Sequence, residues 1–210
     1  MSDLELLYKD LLDTGRFEYD KSQNNAVKEL NELRSKILKP IKKKTIIDFI
    51  GSYKFNLFLK KNKYSSSGVY LYGGVGTGKT MIMNLFFHSL NIPEKRRVHF
   101  HEFMHEFHQK TKKIRSTKNK DPVKIICKDL AKEIKVLCFD EFQIVDITDA
   151  MIVGRLFEEL MKNKVTIITT SNYKPHELYK DGLNRQLFVP FIIYIENNLK
   201  ILEVDNCVDY

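Results

Sequence analysis

No stretch of the sequence comes near the roughly 20 consecutive apolar residues that cross a bilayer as a helix, so a membrane span is not expected. The opening MSDLELLYKDLLDTG is acidic and has no apolar block. It fits neither a secretory signal nor an Arg- and Ser-rich transit peptide. Cysteine is scarce: Cys127, Cys138 and Cys207 are the only three, and no CxxC pair occurs. That argues against a zinc ribbon or disulfide framework and for a reducing compartment. Glycine (9) and proline (5) are too few for a collagen-like or low-complexity chain. Acidic residues are outnumbered by basic ones, 27 to 35, for a net charge of +8. Such an excess permits contact with an anionic ligand or nucleic acid without requiring it. Tryptophan is absent, which decides nothing.

What remains is a 210-residue chain that is 43% hydrophobic and 30% charged. That is enough for one sizeable core with a small appendage. Two leucine-rich stripes, Leu4, Leu7, Leu11, Leu12 and then Val27, Leu30, Leu33, Ile37, Leu38, predict two helices separated by a turn at TGRFEYDKSQ. A third helical pattern covers 45–60, and the SSSG stretch at 65–68 reads as a linker or tight turn. The expected division is an N-terminal helical segment, 1–64, and a core domain, 65–210.

In the core the pattern changes. VYLY (69–72), RVHFH (97–101), KVLCF (135–139), VTIITT (165–170) and LKILEV (199–204) read as strands. Helical patterns lie between them at 80–90, 102–114, 123–134 and 148–162. Alternation of this kind predicts βαβ units and an α/β fold with a mostly parallel sheet.

Gly73-Gly74-Val75-Gly76-Thr77-Gly78-Lys79-Thr80 satisfies GxxxxGK[ST] between a predicted strand and a predicted helix. Glycines let successive N–H groups curl toward phosphate oxygens, and the helix N-terminus adds partial positive charge. Lys79 is expected to place a point charge on the β- and γ-phosphates, and Thr80 a hydroxyl on Mg²⁺. The expected cofactors are therefore ATP and Mg²⁺. Val136-Leu137-Cys138-Phe139-Asp140-Glu141 is an apolar strand with two carboxylates at its C-terminal end, the edge where open α/β sheets bind ligands. Asp140 is expected to hold Mg²⁺ through water and Glu141 to act as general base. Thr169-Thr170-Ser171-Asn172 ends another apolar strand. The Asn172 amide can donate to the γ-phosphate and accept from the lytic water, or it can simply turn the chain.

YLYGGVGTGKT, RVHFHEFM, VLCFDEFQIVDITDAMIVGRLFEEL, TIITTSNYKPHELYKDGLNRQLFVPFI and the final VDY resemble the ZapE-type AAA+ ATPases. That family takes in bacterial cell-division ATPases and mitochondrial lactation-elevated proteins. The resemblance extends to the N-terminal Y..LL..G.FEYD..Q pattern and so covers nearly the whole chain. It implies an AAA+ core with Lys79 and Thr80 as Walker A, Asp140 and Glu141 as Walker B, and Asn172 as sensor 1. It also implies that Arg185 is an arginine finger acting on a neighbouring subunit, hence a homo-oligomeric ring moving an unidentified protein partner. A surface arginine near a helix start is the competing reading of Arg185, and Arg155 reads as structural. The resemblance implies a bacterial cytoplasmic or a mitochondrial matrix protein, and with no transit peptide visible the cytoplasm is favoured. The family's helical lid, with a second arginine, is expected beyond Tyr210. Its absence suggests a fragment, a split reading frame or a degraded paralogue.

His101-Glu102-Phe103-Met104-His105 also satisfies the zinc-protease pattern HExxH, which needs both histidines on one helix face. Here the alternating run suggests that the pair straddles a strand–helix junction. Phe103 and Met104 follow the second strand, where AAA+ rings place a substrate-gripping loop. The basic run KTKKIRSTKNK (110–120) reads as a solvated mobile loop. It lacks the interleaved aromatics of a single-strand binder, so nucleic acid is a possible but not a favoured partner. Four functions stay open: a protein-moving ATPase, a nucleic-acid-associated loader, a small-molecule kinase, and a nucleotide-binding protein without turnover. DEFQ and TSN speak against the kinase.

Overall fold

A computed structural model describes residues 3–15, 18–39, 68–117 and 121–205. The predicted helix at 45–60, the SSSG turn up to Ser67, and Cys207 lie outside the described residues. Two helices open the chain, α1 (Asp3–Asp13) and α2 (Lys21–Leu38). Asp20 starts α2 by accepting the Gln23 N–H at 2.7 Å, a side-chain cap that satisfies an otherwise orphaned donor. The core then runs β1 (Gly68–Tyr72), α3 (Lys79–Ser89), β2 (Lys95–His99), α4 (Phe100–Thr117), α5 (Pro122–Glu133), β3 (Val136–Asp140), α6 (Ile147–Lys162), β4 (Thr166–Ser171), α7 (Arg185–Asn198) and β5 (Lys200–Glu203).

The five strands among the described residues are all parallel, in the order β2-β3-β4-β1-β5. Alternation along the central strands sorts their side chains onto two faces. Val69, Leu71, Val136, Cys138 and Ile168 join α1, α2 and α3 on one side. Tyr70, Leu137, Phe139 and Ile167 join α4, α5, α6 and α7 on the other. The central strands are thus buried on both faces, which is why β1, β3 and β4 read as continuous apolar runs. Cys127 and Cys138 are free thiols within these layers, and burial pushes both up to about 12.

Three expectations need correction. The second strand ends at His99, so His101 lies on α4 and not on a strand. Phe100, Phe103, Met104 and Phe107 recur at helical spacing and are all buried, and this core face overrides the local alternation. For the same reason Phe103 and Met104 cannot grip a substrate. Residues 110–117 of the basic run are not a loop but the last turns of α4. No helix among the described residues is long and apolar enough to cross a membrane.

Candidate nucleotide site

The Gly-rich loop leaves the C-terminal end of β1 and feeds directly into α3. Its backbone explains its composition. Gly73 has φ +155°, and a Cβ there would lie 1.9 Å from the Val204 carbonyl oxygen. Gly76 and Gly78 have φ of +82° and +89°, a region that costs other residues strain. Gly73→Ala is accordingly expected to cost about 3 kcal/mol or more of stability, because backbone, not a flexible side chain, blocks the added methyl. Urea denaturation followed by circular dichroism checks this, and a wild-type midpoint would contradict it. Gly78 is the N-cap of α3 and offers no side chain to the helix. The first N–H groups of α3 are therefore left to an anion.

Lys79, the first residue of α3, folds back over the loop. Its ammonium donates to the carbonyls of Gly73 (2.9 Å) and Gly74 (2.5 Å) and to Thr77 Oγ1 (3.3 Å). Burial lowers its pKa, partly opposed by the nearby Asp140 charge. It is therefore a cation held by neutral dipoles, which the charged oxygens of a phosphate can displace.

Asp140 ends β3 and is almost wholly buried, with 3% of its side chain exposed. Thr80 Oγ1 (3.1 Å) and Thr170 Oγ1 (2.5 Å) both donate to its Oδ1. Arg97 on neighbouring β2 donates to Oδ2 at 2.5 Å. Burial alone would raise its pKa; the hydrogen bonds from Thr170, Arg97 and Thr80 outweigh that and hold it below the usual carboxylate range. Glu141 next to it is the opposite, 71% exposed and with φ +53°. Thr170 connects the two: its hydroxyl donates to Asp140 and accepts the Glu141 N–H at 3.1 Å. The His99 ring lies 3.9 Å from the Glu141 carboxylate. Ser171 donates to the Phe142 carbonyl at 2.7 Å and accepts the Tyr173 N–H at 3.1 Å, fixing the backbone on both sides of Asn172.

A cleft of about 330 Å³ is lined by Val75, Gly76, Lys79, Thr80, Glu141 and Asn172, among others. The structure thus brings together residues from all three sequence elements. Asp140 lies directly beneath, through Thr80 and Thr170. Thr80 Oγ and the Asp140 carboxylate are adjacent hard oxygen donors, a set that suits Mg²⁺ with water completing its shell. Arg185 is not among the lining residues. It opens α7, and its guanidinium donates to the His176 carbonyl at 2.5 Å. Arg155 forms an ion pair with Asp121 at 2.6 Å on the surface of α6.

Arg97, Thr170 and Gln23 escaped the sequence reading. Thr170 had a signal, a hydroxyl in an apolar strand near its end. Arg97 had a weaker one, a cation in a strand that pairs in register with β3. Gln23 had none. His101 and His105 do share a turn of α4, so the expected strand–helix junction lies before them. His105 instead meets Gln109 at 2.8 Å, and His108 meets Asp149 at 2.7 Å. Among the described residues no group of three His, Cys, Asp or Glu is placed to hold a metal ion.

An all-parallel sheet in this order, with a Gly-rich loop after β1 and a carboxylate pair after β3, defines a protein of P-loop, AAA+ fold. Within that class, a family model described as AFG1-like ATPase matches residues 3–210, and the chain belongs to this family. A Schizosaccharomyces pombe protein is 36% identical over 97% of this chain and 50% of its own length. The Escherichia coli cell division protein ZapE is 44% identical over 68% of this chain and 38% of its own length. The chain thus spans half or less of the length of these curated relatives. Among solved structures, DnaI superposes with a TM-score of 0.56 at 15% identity, covering 91% of this chain and 89% of that one, a likeness of fold.

Proposed function

We propose that the cleft binds ATP with Mg²⁺ and hydrolyses it, and that the resulting motion acts on a protein partner. The observation that carries this reading is the convergence of Lys79, Thr80, Glu141 and Asn172 on one cleft, with Asp140 bonded to Thr80 behind it. Lys79 exchanges the loop carbonyls for β- and γ-phosphate oxygens. Thr80 and Asp140 would hold the metal, which would supply positive charge to offset that of the phosphates. Glu141 takes a proton from the attacking water, and its exposure leaves the carboxylate free to do so. Asn172 orients that water or the γ-phosphate. Titration calorimetry with ATP, followed by phosphate release, tests the pair of claims; no binding would refute both.

Arg185 acts on the ATP of a neighbouring subunit in a homo-oligomeric ring. The support is its position outside its own cleft, on the exposed start of α7 beside Leu183 and Leu187, both solvent-facing. A guanidinium stays charged and can offset γ-phosphate charge across an interface. Arg185→Ala is expected to leave ATP affinity unchanged and to lower turnover by about 10³-fold in the assembled state. Mixing Arg185→Ala with Glu141→Gln subunits should restore activity, because some interfaces then pair an intact arginine with an intact Glu141. No recovery in a mixture shown by light scattering to co-assemble would leave Arg185 a structural residue.

A protein is favoured over nucleic acid as the moved partner. Lys110, Lys112, Lys113 and Arg115 project from α4 without aromatic residues interleaved for base stacking. ZapE is by name a cell division protein, and a comparable role fits this reading. Tight, steeply salt-dependent binding of an oligonucleotide would reverse the preference.

A further inference from the structure

The phosphate loop is braced by a residue outside the core. Gln23, in the first turn of α2, is buried, 7% exposed. Its Nε2 donates to the Thr77 carbonyl at 3.1 Å. Its Oε1 accepts the Tyr8 hydroxyl of α1 at 3.3 Å. A carbonyl only accepts, so the amide has one orientation that satisfies both bonds. The same amide packs on the loop, since a Cβ added at Gly78 would come within 3.0 Å of Nε2.

We propose that Gln23 is a positioning residue of the nucleotide site, which holds and polarises the Thr77–Gly78 peptide and thereby ties the N-terminal helices to phosphate affinity. Thr77 C=O and Gly78 N–H belong to one peptide unit, and the chain has no cis peptide among its described residues. In a trans peptide the two groups point in opposite directions. Gln23 stands on the carbonyl side; Gly78 lines the cleft on the other. A donor at the carbonyl draws electron density from the nitrogen and strengthens the N–H as a donor. Chains of hydrogen bonds reinforce each other by about 10–30% per bond. Tyr8 extends the chain by one member, and burial pushes its phenol up, so it stays protonated at neutral pH.

The geometry also restrains conformation. Gly76 and Gly78 both adopt positive φ, so the loop is a segment with much freedom to lose on binding. A bond from α2 to its middle removes part of that freedom before the ligand arrives. Ser22, next to Gln23, fixes α2 at a second point: its hydroxyl donates to Asp20 Oδ1 at 2.5 Å and accepts the Asp205 N–H at 3.0 Å. Gly73 packs on Val204 of the same segment. The α2 start, the end of β5 and the phosphate loop therefore form one bonded unit. By reciprocity, whatever displaces α1 and α2 changes nucleotide affinity.

The inference rests on the loop's reading as a phosphate site, and the test separates the two. ATP affinity is measured by titration calorimetry on the whole chain, with thermal unfolding alongside. Gln23→Leu keeps the volume and removes both bonds; it is expected to raise Kd about tenfold, the worth of a lost bond to a working backbone group. Tyr8→Phe removes only the hydroxyl and is expected to raise Kd about threefold. In the unliganded Gln23→Leu chain the Gly78 amide proton should move upfield by NMR, a change that mere loss of packing does not produce. Wild-type Kd in Gln23→Leu, or a loss of affinity that follows only the unfolded fraction with the Gly78 resonance unmoved, would overturn the role of Gln23. If Gln23→Leu is too unstable to assay, Tyr8→Phe decides by the same two readouts. A wild-type chain that binds no ATP would remove the site itself and the inference with it.

Discussion

Lys79→Ala is expected to lower ATP affinity by about 10³-fold, beyond calorimetric detection at ordinary concentrations. The ammonium makes three contacts within the loop, at Gly73, Gly74 and Thr77. All three are neutral acceptors. Bonds to phosphate are charge-assisted, each contributing about 1.5–3 kcal/mol, so loss of two gives the stated range. Alanine suits the helix at that position, so α3 should form normally. Fold loss is excluded by an unchanged circular dichroism melt. An ATP affinity equal to wild type would end the assignment of this loop as the phosphate site.

Glu141→Gln should do the reverse, binding ATP as tightly as wild type while hydrolysis falls by about 10³-fold. The geometry makes the substitution clean. The Glu141 side chain is 71% exposed and outside the Asp140 network, while its backbone N–H bonds Thr170 whatever the side chain. Glutamine keeps the shape and loses only the proton acceptor. Asp140→Asn would be a poor substitute, since it would also break the ion pair to Arg97. Single-turnover phosphate release checks the prediction. Wild-type turnover in the variant would remove Glu141 from the role of base.

The parts of this site that lie within one stretch of chain were legible in the sequence. Gly73 to Thr80 is a local device: strand, turn and helix start each leave a mark in residue type. Asp140 and Glu141 were legible because an apolar strand ends on them. The Asp140 network was not, because it is assembled across strands. Arg97 arrives through β2–β3 pairing and Thr170 from β4, and neither register can be read from either strand alone. The error at RVHFH has a related cause. Five residues of alternation are compatible with a strand, but Phe100, Phe103 and Phe107 belong to a core cluster with Phe139 and Phe142, and only that packing marks the helix start. Gln23 shows the limit most clearly. A polar residue among helix-forming neighbours reads as surface, and only the folded chain places it beside Thr77.

The strand order has a consequence for how the protein comes to be made. β1 is the first strand among the described residues, yet its neighbours are β4 and β5: Gly68 pairs with Ile167 and Val69 with Lys200. During synthesis from the N-terminus, β1 emerges with four of its five residues destined for burial and no partner yet available. It must wait until β4 has left the ribosome. High contact order of this kind slows folding and prolongs the exposure of apolar strand edges. Nascent chains ending between Tyr72 and Thr166 should therefore be the species most prone to aggregate and most dependent on chaperones.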